Sequence, residues 1–209
     1  MKFVESSIIF SSMLFILFGC SSIGSVEAGY AGATVKVTFK EVSKENQGVL
    51  NDFNTNYLKE GWIDITEELE DWERYDDSNE MTLQRDEETN MIIINRNSTL
   101  GNSYICKRTN KLGEFKFLAQ IKTEKIKVGQ GTFADGKFHA YQVKKNRNPN
   151  STGYNWSPSD FSTNFDWTTK VVPIINTNKN LTTVFRIALQ GTSGTIYIKN
   201  IRILYKPAK

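Results

Sequence analysis

Tyr154, Trp156, Phe161 and Phe165 lie within one polar segment read as a loop, Arg147 to Trp167 (RNPNSTGYNWSPSDFSTNFDW), surrounded by amides and hydroxyls. Recognition of a pyranose ring needs that combination. The C–H face of the sugar lies on a flat aromatic surface, while Asn, Gln, Arg and Asp bridge pairs of hydroxyls. Large apolar side chains in so polar a stretch are costly to expose without a use, so Tyr154 and Trp156 are the first candidates for carbohydrate binding. The alternative is that the stretch folds back and its aromatics plug the edge of the domain.

A second pair stands on a strand. Between Lys137 and Lys144 strict alternation puts His139 and Tyr141 on one face and Phe138, Ala140 and Gln142 on the other. If the first face carries the ligand, Tyr141 stacks on sugar and His139 donates a hydrogen bond; a lone histidine also reads as an ordinary surface residue. Trp62 and Tyr75 adjoin strand ends, where an aromatic covers the core, and Trp167 precedes a strand and is expected to pack inward.

A hydrolytic reading attaches to Glu68-Leu69-Glu70-Asp71-Trp72-Glu73. Carboxylates at alternate strand positions share a face, as a retaining glycosidase requires of its nucleophile and acid. Here acids crowd the whole stretch and the flanking apolar alternation is missing, so a solvated acidic turn is expected, and no catalytic residue is assigned. No Gly-rich phosphate loop, metal-spaced His/Cys cluster or Ser-His-Asp arrangement occurs, so neither cofactor nor metal is expected. Cys106, within Tyr104-Ile105-Cys106, reads as a buried, inert thiol.

The elements that must position these residues are strands. Apolar content of 39% and charged content of 23% are those of a folded globular chain. Residues 60–88 hold thirteen of the twenty-three acids against two basic residues, and residues 89–209 hold nineteen of the twenty-six basic residues against five acids. The basic residues are spread singly along alternating strands, which describes a solvated sheet face and not a nucleic-acid surface. Strands are expected at Ala33–Val42, Trp72–Tyr75, Met81–Arg85, Met91–Asn95, Ser103–Arg108, Glu114–Thr123, Lys137–Lys144, Trp167–Ile174, Thr182–Gln190 and Thr195–Tyr205, separated by turn signals such as Asp135-Gly136 and Gly191-Thr192-Ser193-Gly194. No amphipathic helix of useful length interrupts them. The expectation is an all-β, two-sheet antiparallel β-sandwich over residues 33–209.

The first residues address the chain. Lys2, an apolar run from Ile8 to Phe18 too short to span a bilayer comfortably, and Gly19-Cys20 form a leader. Leu17-Phe18-Gly19-Cys20 resembles the lipobox of bacterial lipoproteins, which implies a signal peptide over 1–19, lipid on Cys20, a tether over 20–32 and a cell envelope location. A secretory peptide cut after Ala28 is the alternative. With only Cys20 and Cys106 present, no disulfide pairing is called for if Cys20 carries lipid.

Three segments in order carry a further resemblance: Trp72-Glu73; Glu114 to Lys122 (EFKFLAQIK); and Trp167 to Pro173 (WTTKVVP) leading into FRIALQGTSGTIYIKNIRIL. Together they resemble the jelly-roll carbohydrate-binding modules attached to bacterial cellulases and xylanases, over residues 65–206. The resemblance implies a jelly roll and a non-catalytic, glycan-binding role. That family commonly carries Asp where this chain has Lys199 and Asn200. A lysine there removes a hard oxygen ligand and repels calcium, so no structural calcium is expected at that position. The function expected is that of a lipid-anchored surface protein binding polysaccharide or glycan through Tyr154, Trp156, Tyr141 and His139. The alternatives are a structural or adhesive envelope protein with a protein partner, and a glycoside hydrolase or lyase centred on Glu68 and Glu73.

Overall fold

A computed structural model describes residues 34–37, 57, 60–86, 88–149 and 153–208. The leader, Cys20 and the tether lie outside the described residues. The chain folds into two antiparallel sheets built from strands β1 (Thr34–Val37), β2 (Ile63–Asp64), β3 (Trp72–Asp76), β4 (Met81–Asp86), β5 (Met91–Arg96), β6 (Asn102–Thr109), β7 (Gly113–Val128), β8 (Asp135–Lys144), β9 (Tyr154–Pro158), β10 (Phe165–Asn176), β11 (Leu181–Gln190) and β12 (Thr192–Pro207). The first sheet has the order β1-β3-β6-β11-β8-β9 and the second β10-β7-β12-β5-β4, with β2 paired to β12. From β5 to β8, and again from β9 to β12, successive strands pass from one sheet to the other. This is the jelly-roll sandwich expected of the sequence.

Each strand alternates because one face meets the opposite sheet. On β7, Phe115, Phe117, Ala119 and Ile121 point inward and are buried; on β8 and β11 the inward residues are Phe138, Ala140, Phe185 and Ile187. Phe117 stacks on Phe138 across the interface at 4.2 Å and 15°, and Phe185 meets Phe115 edge-on at 5.7 Å. Burying each such ring contributes about 1.5–3 kcal/mol. A bulge between Lys199 and Arg202, with Asn200 at φ 55°, lets β12 run the full length of β7.

Two expectations need correction. The stretch 147–167 is not all loop, because Tyr154–Pro158 forms a strand on the edge of the first sheet; Pro158 removes a backbone donor, which an edge strand tolerates. Trp167 does not pack inward. It is 37% exposed and lies beneath the Lys199 ammonium, 4.0 Å from the ring centroid. The acidic stretch, by contrast, is the turn expected: Glu68 stands in a turn ahead of β3, and the alternate-position geometry of a catalytic strand does not form.

Candidate functional site

The candidate site lies on the outer face of the first sheet. Cross-strand pairing sets Glu73, Cys106, Arg186 and His139 in one row across β3, β6, β11 and β8, and Tyr75, Tyr104, Ala188 and Lys137 in the next. Directly paired residues share a face. A second apolar cluster of Tyr104, Cys106, Tyr141, Val143, Val184 and Ala188 forms here, with Tyr75 packed against it.

Trp156 closes one end of this cluster. Its ring lies on Tyr141 with centroids 4.2 Å apart and planes 10° from parallel, and its edge meets the His139 ring at 5.4 Å and 83°. One indole face is therefore covered and the opposite face looks outward, leaving the residue 47% exposed. Asn155 at φ 50° accompanies a break in register between Ala140 and Gln142 on the partner strand. This bulge turns Trp156 onto the outer face. Asn155 is anchored there by a hydrogen bond from its side-chain amide to Gln142 Oε1, 2.6 Å.

Tyr141 is wholly buried, which corrects its expected role. It cannot stack on a ligand itself; it is the layer on which Trp156 rests. Its hydroxyl donates to the Pro149 carbonyl at 2.8 Å, fixing the chain entering β9, and burial pushes that hydroxyl up to about 12.

Tyr154 goes elsewhere. It pairs with Gln142, whose side chain points to the opposite face and donates to the Ile175 carbonyl. Tyr154 lines an open depression with Lys144, Lys145, Asn178 and Asn180. The structure thus brings Trp156, Tyr141 and His139 together and leaves Tyr154 apart, 42% exposed.

His139 faces an acid that the sequence did not single out. Its Nε2 bonds Asp160, and Lys137 Nζ reaches the other oxygen of that carboxylate at 2.9 Å. Asp160 is placed by its neighbours: Gly136 and Phe161 exchange two backbone hydrogen bonds of 2.9 Å, and Ser159 N donates to the Phe138 carbonyl. A Cβ on Gly136 would stand 1.9 Å from the Phe161 ring, so only glycine admits that close approach. Desolvation by burial, which outweighs the pull of Asp160, holds His139 below its ordinary value. The hydrogen bonds from His139 and Lys137 hold Asp160 below the usual carboxylate range against its own partial burial.

Arg186 completes the face, and the sequence reading passed over it. Its guanidinium lies 4.5 Å over the Tyr104 ring, Tyr104 is backed by Tyr75 at 5.0 Å and 16°, and Nη2 donates to Gln190 Oε1 at 3.1 Å. The available signal was a lone cation amid the strand apolars Val184-Phe185-Arg186-Ile187, directed away from Phe185 and Ile187.

The hydrolytic pair is not assembled. Glu73 is buried and engaged by Arg108, while exposed Glu68 meets Lys111 at 3.5 Å. Cys106 is wholly buried, and desolvation pushes its thiol well above the ordinary value. Among the described residues no group of three His, Cys, Asp or Glu is arranged to hold a metal ion, and no helix is long and apolar enough to cross a membrane.

No family model and no curated protein matches the chain. Solved structures similar to it are mostly carbohydrate-binding modules. A CBM4 structure matches with TM-score 0.46 and 11% identity over 65% of this chain and 87% of that one. The CBM22-1 xylan-binding domain from Paenibacillus barcinonensis matches with TM-score 0.42 and 9% identity over 87% of this chain and 100% of that one. A CBM61 module solved with β-1,4-galactotriose matches with TM-score 0.39 and 9% identity over 65% and 88%. The likeness is one of fold.

Proposed function

We propose that this protein binds polysaccharide or glycan on the outer face of its first sheet without transforming it, with Trp156 as the platform. The single observation that carries this reading is the Trp156–Tyr141 stack. A rigidly backed indole with one open face suits the C–H face of a pyranose, and the stacking partner keeps that face from turning away. Around it, hydrogen-bonding groups of His139, Asp160 and Lys137 stand ready for hydroxyls. The role is binding and not hydrolysis, because among the described residues the face presents no pair of free carboxylates: Asp160 is held by two donors and Glu73 by an arginine. Affinity gels carrying a panel of neutral and acidic polysaccharides test the reading. Retardation by at least one polymer, lost on Trp156→Ala in a protein of unchanged circular dichroism, is expected; no retardation by any polymer contradicts it.

The proposal extends to location. Leu17-Phe18-Gly19-Cys20 supports lipidation at Cys20 and display at the cell envelope, where a short tether would present the sandwich to surrounding glycans.

A further inference from the structure

The face around Trp156 leaves one charge without a counter-ion. Arg186 is only 5% exposed, and no ion pair among the described residues includes it. The acids nearby are already committed, Glu73 to Arg108 and Asp160 to Lys137 and His139. A desolvated guanidinium without a carboxylate is unfavourable, and its neighbours Tyr104, Gln190 and Tyr141 supply only a ring face and neutral oxygens.

The hydrogen-bonding deficit gathers at the same place. The buried side-chain atoms without a partner among the described residues include Arg186 Nε, Tyr104 Oη and His139 Nδ1. Arg186 and His139 are direct cross-strand partners, and Arg186 lies on Tyr104, so the three orphans share the face that Trp156 borders. With neutral His139 donating through Nε2 to Asp160, an assignment that follows from the hydrogen-bond network, Nδ1 is left as an acceptor. Together the three groups suit an anion opposite Arg186, an acceptor or donor for the Tyr104 hydroxyl, and a hydroxyl donor toward His139.

A uronic acid has all three. We propose that the glycan bound on this face is acidic, a polymer of uronic acids, with a sugar ring on Trp156 and a carboxylate received by Arg186. The planar guanidinium fork matches a carboxylate, and the carboxylate restores charge balance to a site otherwise paired. This rests on the glycan-binding reading above and deepens it.

Affinity electrophoresis at roughly 0.15 M salt, where exposed charges are largely screened, separates the two readings. Polygalacturonate and alginate are compared with fully methyl-esterified polygalacturonate, a neutral β-glucan and dextran sulfate. The full chain is expected to bind polygalacturonate or alginate about tenfold or more tightly than the ester or the β-glucan. Arg186→Gln is expected to remove that preference without lowering the melting temperature, because it deletes an uncompensated buried charge. Arg186→Lys, which keeps the charge and loses the fork, should fall between, and Tyr104→Phe should weaken uronate binding several-fold should the Gln variant fail to fold. Exposed Lys127→Gln serves as a control and should change little. Equal or tighter binding of a neutral polymer, abolished by Trp156→Ala, overturns the acidic assignment and leaves the glycan-binding reading standing. Retention of dextran sulfate alone overturns the uronate assignment. Retention of no polymer overturns both.

Discussion

Trp156 lies flat on Tyr141, ring centroids 4.2 Å apart and planes 10° from parallel, so that a buried tyrosine fixes the pose of a half-exposed tryptophan. Binding and support are thereby divided between two rings. Trp156→Ala should abolish glycan binding while costing only about 1 kcal/mol of stability, the worth of an aromatic pair at a partly exposed site. Denaturant melts run beside affinity gels check this. A loss of several kcal/mol would mean that Trp156 is chiefly a core residue.

Tyr141→Phe keeps the ring and deletes the hydroxyl bonded to the Pro149 carbonyl. It should lower stability by about 1 kcal/mol and weaken glycan affinity a few-fold by loosening the entry to β9. Isothermal titration with any retained polymer reads the effect. Affinity equal to the parent's would show that the platform does not depend on that bond.

Gly136 passes directly under Phe161. Gly136→Val should therefore destabilise by about 2–3 kcal/mol through overpacking and displace Asp160 from His139 and Lys137. A thermal melt checks the first effect, and the His139 ring shifts in nuclear magnetic resonance check the second.

The pH dependence follows from the same cluster. Burial, flanked by the cations Lys137 and Arg186, lowers the His139 value despite Asp160. The unfolded chain then takes up this proton first, so the contribution is fully present above about pH 6.5 and is lost as pH falls through the lower folded value. Asp160, also lowered, adds stability that is present above about pH 4 and lost below it. Melting temperature should fall from pH 7 to 5 in the parent and less in His139→Gln. An equal fall in the two proteins would assign the loss to other groups.

The cost of exposing an aromatic in a polar stretch marked Trp156 as a candidate, and alternation placed His139 and Tyr141 on one face, because strand parity is indifferent to what lies above. It could not foresee that Trp156 would cover Tyr141, since that contact depends on a bulge at Asn155, nor that the same bulge would turn Tyr154 toward Lys144 and Asn178. Asp160 and Arg186 were passed over for a different reason. Each acquires its meaning from a partner on another strand, His139 for the first and Tyr104 for the second. The sandwich itself was more legible, because β7 largely alternates buried and exposed residues and β8 and β11 are long β-branched and aromatic runs buried on both faces; the short exposed edge strand β9 offered no such pattern.

The most direct measurement is a titration of the indole N–H resonances with oligosaccharides of the polymer that the gels retain. The chain has four tryptophans, and Trp62 and Trp72 are buried while Trp167 stands on the other sheet. The Trp156 resonance alone should shift and saturate with the binding isotherm. A saturating shift at Trp167 with Trp156 unmoved would contradict the account and place the ligand on the opposite sheet.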